Sequence, residues 1–263
     1  MAFEWDETLY AGSARYYARG RMPYPHALAD ALRESLGADG RRRLLDVGCG
    51  PASLTHLLAP LFAEAVGIDA DAAMVREARR AAAANERFVQ LRAEQLPAGL
   101  GAFDVVTFAQ SFHWLDQARV AMTVHDMLVP SGAVVHVGAT THRGDGDVPH
   151  DEIEALVRTY LGPVRRAGRR TLPDGAPAWE DDVFAAAGYA GPERLDVPAG
   201  RTHERSVDDV VAAVFSLSSA APHLFGDRRD EFERELRALL LRASPTGRFR
   251  ERTRDIGVTI WRA

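Results

Sequence analysis

The sequence contains a single cysteine, Cys49, and no lysine, so all 32 of its Lys and Arg positions are arginines. One cysteine excludes an intrachain disulfide, and we expect a reducing, cytoplasmic location for such a chain. Arginine as the sole basic side chain, together with many alanines, is typical of a GC-rich bacterial genome. No base lies near Cys49 in the sequence, so we expect a small structural residue there rather than a reactive thiol.

Long apolar runs and an excess of positive charge are also absent. No stretch of about 18 apolar residues occurs, and residues 1–7 are neither basic nor apolar, so we expect no membrane span and no signal peptide. The net charge is −5 and the isoelectric point is about 6.0, which argues against nucleic acid as the main partner. We therefore expect no nucleic-acid or membrane partner. A monomer or a homodimer is expected, without a pattern in the sequence that decides between them.

Metal-ligand spacing is missing as well. Six of the nine histidines, which follow His113 in the sequence, show no pattern such as H-E-x-x-H; they are His125, His136, His142, His150, His203 and His223. We predict no metal site.

The stretch Leu44–Pro51 dominates what is present. It is an apolar run, typical of a buried strand, that ends in a glycine turn and leads into a helix. Gly48 and Gly50 permit positive φ and leave no Cβ between the backbone and a ligand. The helix that follows would point its free amide groups at the same place, and Asp46 could accept hydrogen bonds from a ligand.

A second carboxylate follows at the expected distance for a nucleotide-type site. Asp69 ends the apolar run Ala65–Asp69, about twenty residues after the turn, where an acid can accept hydrogen bonds from both ribose hydroxyls. The third glycine of the dinucleotide pattern G-x-G-x-x-G is absent, because Ser53 stands in its place. A Tyr-x-x-x-Lys pair is impossible without lysine. An NAD(P)-dependent oxidoreductase is therefore a disfavoured alternative.

Short apolar runs alternate with helical patterns, which is typical of a doubly wound α/β fold. The predicted strands are Arg43–Val47, Ala65–Asp69, Arg87–Arg92, Phe103–Ala109, Ala133–Gly138, Arg194–Val197 and Asp255–Trp261. The predicted helices begin at Pro25, Ser53, Ala72, Asp151, Val207 and Glu231. We expect one domain over residues 1–263, with an N-terminal cap (1–38), a cofactor-binding core (39–140) and two lid insertions (141–172 and 203–250).

Leu44–Pro51 and Asp69 resemble the first two motifs of the class I S-adenosylmethionine-dependent methyltransferases. Phe112–Trp114 resembles the type 11 branch that includes trans-aconitate-type enzymes, and Tyr17–Pro25 is similar to its Y-x-x-x-R-P-x-Y-P segment. The resemblance implies a Rossmann-like sheet of seven strands, mostly parallel, whose last strand is antiparallel. It also implies S-adenosylmethionine as cofactor and S-adenosylhomocysteine as product.

The same resemblance implies the site residues. Those expected to bind the cofactor are Tyr17, Arg21, Asp46, Gly48, Cys49, Gly50, Asp69, Ala70, Met74, Ala93, Glu94, Gln95, Ala109 and Gln110. Phe112, His113 and Trp114 are expected to bind substrate. His113 is the candidate general base, although a carboxylate nucleophile needs none. For Met74, a position in the core is the favoured alternative.

The function predicted is methyl transfer to a small molecule, with oxygen of a carboxylate or hydroxyl as acceptor. Four arginines in the first insertion, Arg165, Arg166, Arg169 and Arg170, could hold a carboxylate or simply form a solvated surface. The alternative from another class is a methyltransferase-like protein that binds the cofactor and has lost turnover.

Overall fold

The computed structural model describes residues 6–164, 166–167, 170–171, 180–198 and 200–263. Within them the strands, in chain order, are β1 (Arg43–Val47), β2 (Glu64–Asp69), β3 (Glu86–Gln90), β4 (Phe103–Ala109), β5 (Leu128–Gly138), β6 (Asp145–Gly146), β7 (Arg166–Ala167), β8 (Arg170–Thr171), β9 (Ala190–Val197), β10 (Thr202–Ser206), β11 (Arg248–Arg252) and β12 (Ile256–Arg262).

The α-helices of the same residues are α1 (Ala14–Gly20), α2 (His26–Leu36), α3 (Ser53–Leu58), α4 (Ala72–Arg80), α5 (Gln117–Met127), α6 (His150–Leu161), α7 (Glu180–Ala186), α8 (Val207–Phe215) and α9 (Arg229–Ala243). Short 3₁₀ turns lie at Ala59–Leu61, Ala93–Gln95, Phe112–Trp114, Ser218–Ala220 and Pro222–Arg228. Among the described residues, no single helix is long and apolar enough to cross a bilayer. α8 joined to Ser218–Ala243 reaches that length and composition, but the pair bends by 102°.

Seven strands form the main sheet, in the order β3-β2-β1-β4-β5-β12-β9. β1 to β5 pair in parallel, whereas β12 runs antiparallel to both of its neighbours. The chain moves outward from β1 to β3 and then returns to place β4 on the other side of β1. A ligand in such a sheet binds beyond the carboxyl ends of the strands at this reversal. The predicted α/β fold with an antiparallel last strand is confirmed.

Both faces of this sheet are covered, which explains why its strands are apolar almost throughout. On one face α2 packs Leu28 and Leu32, each 1% exposed or less, and it ends at Gly37, whose φ is +59°. On the other face α5 and α7 pack Val124 and Phe184 onto Phe108 of β4. Residues four apart thus fall on one buried side of α2.

A second sheet, in the order β10-β11-β6, was not predicted. Its buried positions include Arg205 in β10 and both Phe249 and Glu251 in β11. Two of these three side chains are charged, so the alternation of apolar and polar residues that identifies a half-buried strand is missing from the sequence. The predicted insertion over residues 203–250 is thus bounded by β10 and β11, which were not predicted, and it contains α8 and α9 as expected.

Candidate active site

The glycine turn after β1 has the conformation that its residues require. Gly48 and Gly50 have φ of +71° and +55°, which side chains of L-residues rarely tolerate. A Cβ at Gly48 would lie 2.5 Å from the Cβ of Ser111, whose hydroxyl donates to the carbonyl of Val47 at 2.6 Å. A Cβ at Gly50 would meet nothing within 4 Å. Gly48 is thus fixed by the close approach of the segment after β4, while Gly50 faces open space.

Asp69, the last residue of β2, is attached to this turn. One carboxylate oxygen accepts the Gly50 N–H at 2.9 Å, and the other accepts the Asp71 N–H at 2.8 Å. Burial raises the pKa of Asp69 to about 6, against the opposing effect of these two backbone hydrogen bonds. The carboxylate is therefore held rigidly beside the turn, ionised above about pH 6, with lone pairs to spare for a ligand.

Asp46 lines the arm cavity described below and is held by two side-chain hydroxyls. Its carboxylate accepts hydroxyl hydrogen bonds from Thr55 in α3 at 2.6 Å and from Thr107 in β4 at 2.8 Å, and the residue is 1% exposed. Burial raises the pKa of Asp46, while the two hydroxyls oppose that rise. Asp46 thus fastens β1 to α3 and β4 beneath the turn. Neither threonine was predicted, since the contacts span 9 and 61 residues of sequence.

Above the turn lies a narrow cavity of about 70 Å³, which we call the glycine-turn cavity. Its lining is Tyr10, Tyr17, Gly48, Gly50, Asp69, Ala70, Met74, Leu91, Arg92, Ala93, Glu94, Ala109, Gln110, Ser111, Trp114 and Leu115. Tyr10 and Tyr17 of the N-terminal segment cover it, with ring centroids 6.5 Å apart. The Trp114 indole also lines the cavity and lies within hydrogen-bonding reach of the Tyr10 side chain.

A smaller cavity of about 40 Å³, the arm cavity, adjoins the other side of the turn. Its lining is Tyr17, Arg21, Met22, Tyr24, Asp46, Gly48, Cys49, Gly50, Pro51, Ser53, Leu54, Ala109 and Thr141. The Arg21 guanidinium stacks over the Tyr17 ring at 4.5 Å and donates to the hydroxyl and carbonyl of Ser216, at 2.9 and 3.0 Å. Arg21 therefore joins the N-terminal segment to the end of α8.

Comparison with known proteins identifies the class of this site. Residues 44–132 match the family model described as a methyltransferase domain. An uncharacterized methyltransferase of Mycobacterium tuberculosis is 31% identical over 200 residues, which are 75% of this chain and 79% of that protein. The chain belongs to the methyltransferase family. The resemblance seen in the sequence is thereby confirmed, and an enzyme rather than a binding protein is the established class.

Other relatives of this methyltransferase have named acceptors. A malonyl-[acyl-carrier protein] O-methyltransferase of Pseudescherichia vulneris is 29% identical, over 77% of this chain and 74% of that one. A trans-aconitate 2-methyltransferase of Mycobacterium ulcerans is 30% identical, over 59% and 54%. The structure of a putative type II methyltransferase from Anaeromyxobacter dehalogenans aligns with a TM-score of 0.54 at 23% identity, covering 92% of this chain and 96% of that one. The last comparison supports the fold.

Most of the residues predicted to bind the methyltransferase cofactor lie around the two cavities. Ala70, Met74, Ala93, Glu94, Ala109 and Gln110 line the glycine-turn cavity, and Cys49 and Arg21 line the arm cavity. Met74 is also 2% exposed, as expected of a core residue, and its contact with the cofactor stays a prediction. The Glu94 side chain accepts the Asp116 N–H at 3.1 Å, which fastens the segment after β3 to the one after β4. Tyr10, Leu91, Arg92, Ser111 and Leu115 were missed.

Two predicted residues lie elsewhere. Gln95 turns away from both cavities, and its side-chain oxygen accepts the Arg92 N–H at 2.9 Å, which caps the local 3₁₀ turn. Phe112 was predicted to bind substrate, but its side chain is fully buried. It stacks on Phe184 at 4.8 Å and packs edge-on against Phe108 at 4.9 Å. Phe112 is thus a core residue that anchors the segment after β4, and only Trp114 of the triplet enters the cavity lining.

His113 is not part of either cavity lining. Its ring lies 4.6 Å from that of Trp114, on the side that faces His136 and Glu180, and the residue is exposed. Crowding of the ring by protein lowers the pKa of His113 to about 4, and His136 adds to this, whereas Glu180 opposes it. His113 is therefore neutral at pH 7. The four arginines Arg165, Arg166, Arg169 and Arg170 lie outside the residues whose side chains the structure describes.

Proposed function

We propose that this methyltransferase uses S-adenosylmethionine to methylate an oxygen of a small carboxylic acid. The observation that carries the cofactor part is Asp69, held by two backbone amides beside a glycine turn that faces open space. An acid so placed binds ribose hydroxyls in nucleotide sites of this topology. The acceptor part is supported by the two named relatives, whose acceptors, a malonyl group and trans-aconitate, are both acids.

The residues present fit this cofactor. Asp69 would accept from the ribose hydroxyls, while Met74, Ala93 and Leu115 supply apolar surface for a base. The Trp114 indole gives the cavity an aromatic wall. Beyond the turn, the arm cavity would take the amino-acid end, close to Tyr17.

When bound, S-adenosylmethionine supplies a methyl group already activated on a sulfonium. The protein then has to align the acceptor with that methyl group and exclude water. An O–CH₃ bond forms as the S–CH₃ bond breaks, and the electron pair of the broken bond stays on sulfur. A carboxylate acceptor has no proton to lose, so a base is not required. This agrees with the position of His113 outside the cavity lining. The aromatic faces of Trp114 and Tyr17 are suited to a sulfonium, at about 0.5–2 kcal/mol each.

Two further expectations stay predictions. We propose that the protein acts in the cytoplasm, which its single, buried cysteine favours. We also propose that the N-terminal segment acts as a cap, because Tyr10 and Tyr17 cover the glycine-turn cavity.

Calorimetric titration with S-adenosylhomocysteine and with NAD tests the cofactor. We expect the wild type to bind the former and Asp69→Asn to bind it about 10- to 100-fold more weakly, since hydrogen bonds to a charged group are worth about 1.5–3 kcal/mol. The matched control is Asp30→Asn, which removes an equally charged but exposed side chain of α2 and should change nothing. Binding of NAD in place of S-adenosylhomocysteine would contradict the proposal.

A further inference from the structure

A cavity next to the proposed cofactor site lies between α6 and α8. This α6–α8 cavity has a volume of about 380 Å³, within the roughly 300–1,000 Å³ of small-molecule sites. Its lining includes Thr140 and His142, while Thr141 between them lines the arm cavity. These residues follow directly after β5, at the carboxyl edge of the sheet. The cavity is therefore placed to present an acceptor to a cofactor bound at the glycine turn.

One wall of the α6–α8 cavity is apolar. This wall consists of Ile153 and Val157 of α6, Val210 and Val214 of α8, and Leu217, which follows α8. The same residues belong to one hydrophobic cluster with the cores of α8 and α9. A ligand body that removes this wall from water gains about 25 cal/mol for each Å² of apolar surface. The wall thus favours an apolar ligand body.

The opposite side carries charge, and almost all of it is already neutralised. Arg158 pairs with Glu154 at 2.6 Å, Arg254 pairs with Asp145 at 2.9 Å, and the His150 ring contacts the Glu251 carboxylate at 2.5 Å. Each of these three side chains already has an acidic partner, so none is a free anchor for an anion.

Arg143 is the exception. Its Nε is buried and has no hydrogen-bond partner, and among the residues that the structure describes no carboxylate pairs with its guanidinium. Buried donors in native proteins are nearly always satisfied, and an unsatisfied one calls for an explanation. A guanidinium presents donors in a planar fork that matches a carboxylate. Arg143 is only half-buried, so the rest of its guanidinium is open to an anionic ligand.

We propose that the α6–α8 cavity is the acceptor site and that it takes an acid with a single anionic group and an apolar body. The anionic group binds Arg143, and the body lies on the wall formed by α6 and α8. One unpaired guanidinium beside an apolar wall selects a monoanionic amphiphile over a small polycarboxylate. The inference rests on the proposed methyltransferase function and specifies its acceptor.

The test is calorimetric titration of protein saturated with S-adenosylhomocysteine, with octanoate and with octanamide as its uncharged analogue. We expect the wild type to prefer octanoate by about 10- to 100-fold, which corresponds to one charge-assisted hydrogen-bonding group. Arg143→Gln should lose that preference, and Arg143→Lys should keep part of it. Arg248→Gln is the matched control, because Arg248 is an exposed arginine paired with Glu204 in the small sheet.

Chain length tests the apolar wall separately. From butanoate to octanoate, affinity should rise about three- to fourfold for each methylene, as expected for buried CH₂ groups. Equal binding of octanoate and octanamide to the wild type, an unchanged preference in Arg143→Gln, or no binding of any acid would overturn the inference. Loss of S-adenosylhomocysteine binding itself, measured first on the same sample, would instead overturn the proposed function.

Discussion

Glu251 is the carboxylate on which the second sheet depends, and we predict that Glu251→Gln destabilises the protein by about 3 kcal/mol. The residue is fully buried in β11. It accepts from Arg205 of β10 at 2.6 Å, from the ring of His150 at the start of α6 at 2.5 Å, and from the Gly144 N–H at 2.7 Å. Arg205 in turn donates to the carbonyl of Gly20 at 2.7 Å. One charge thus joins the N-terminal segment, the second sheet and α6.

The magnitude follows from the pKa of Glu251. Burial alone would raise it, but the hydrogen bonds from His150, Gly144 and Arg205 outweigh burial and lower the pKa from 4.5 to about 2. At about 1.4 kcal/mol for each pKa unit, the ionised form is favoured in the folded state by about 3 kcal/mol. Removing one partner of a buried ion pair typically costs about 3–5 kcal/mol, which agrees.

Equilibrium unfolding in urea, followed by circular dichroism at pH 7, measures this effect. Glu204→Gln is the matched control, because Glu204 is an exposed acid in the same sheet and its pair with Arg248 should contribute less than about 1 kcal/mol. The pH dependence gives a second readout. Since the folded pKa is lowered, the stabilisation by Glu251 is fully present above about pH 4.5 and is lost as the pH falls toward about 2. Two results would refute this prediction. One is a decrease in the free energy of unfolding of less than about 1 kcal/mol in Glu251→Gln, and the other is a difference in that free energy from wild type that persists at pH 2.

Three further predictions concern the proposed cofactor site. His113→Asn should keep kcat within about threefold at pH 7, measured as S-adenosylhomocysteine formed; a fall of about 10²- to 10⁴-fold would restore a base role. Burial raises the pKa of Asp69 to about 6, so S-adenosylhomocysteine affinity should fall as the pH drops through 6, when the charged acceptor is lost. The ligand-free protein should gain stability in that window, and Asp69→Asn should show neither trend. Because the glycine-turn cavity holds only about 70 Å³, the segment with Tyr10 and Tyr17 has to open to admit the cofactor. Hydrogen exchange at residues 6–24 should therefore change when S-adenosylhomocysteine binds, and identical exchange with and without it would contradict this.

The main sheet and the glycine turn could be predicted because their signals are local. A parallel strand buried on both faces is apolar along its length. The positive φ at positions 48 and 50 is indicated by the residue type itself, because glycine adopts this conformation readily. Asp69 could be predicted for the same reason, because it is an acidic residue at the end of an apolar run. These features need no knowledge of distant contacts.

The features of the fold and the site that could not be predicted depend on contacts between residues that are distant in the sequence. The hydroxyl partners of Asp46 and the Arg205–Glu251 pair join positions far apart in the sequence, and 46 residues separate the latter two. Phe112 and Trp114 are neighbours in one motif, yet the turn directs one into the core and the other into the cavity. Arg143 is a single arginine in a glycine-containing segment, and only the cavity around it distinguishes it from the other arginines.

The central claim is methyl transfer to a carboxylate oxygen. The most direct measurement incubates the protein with S-adenosylmethionine labelled with ¹³C in its methyl group and a panel of apolar monocarboxylic acids, with analysis by mass spectrometry. We predict S-adenosylhomocysteine and a labelled methyl ester in equal amounts, and alkaline hydrolysis should return the unlabelled acid. A label that resists hydrolysis, or no S-adenosylhomocysteine with any acid despite tight cofactor binding, would contradict the account.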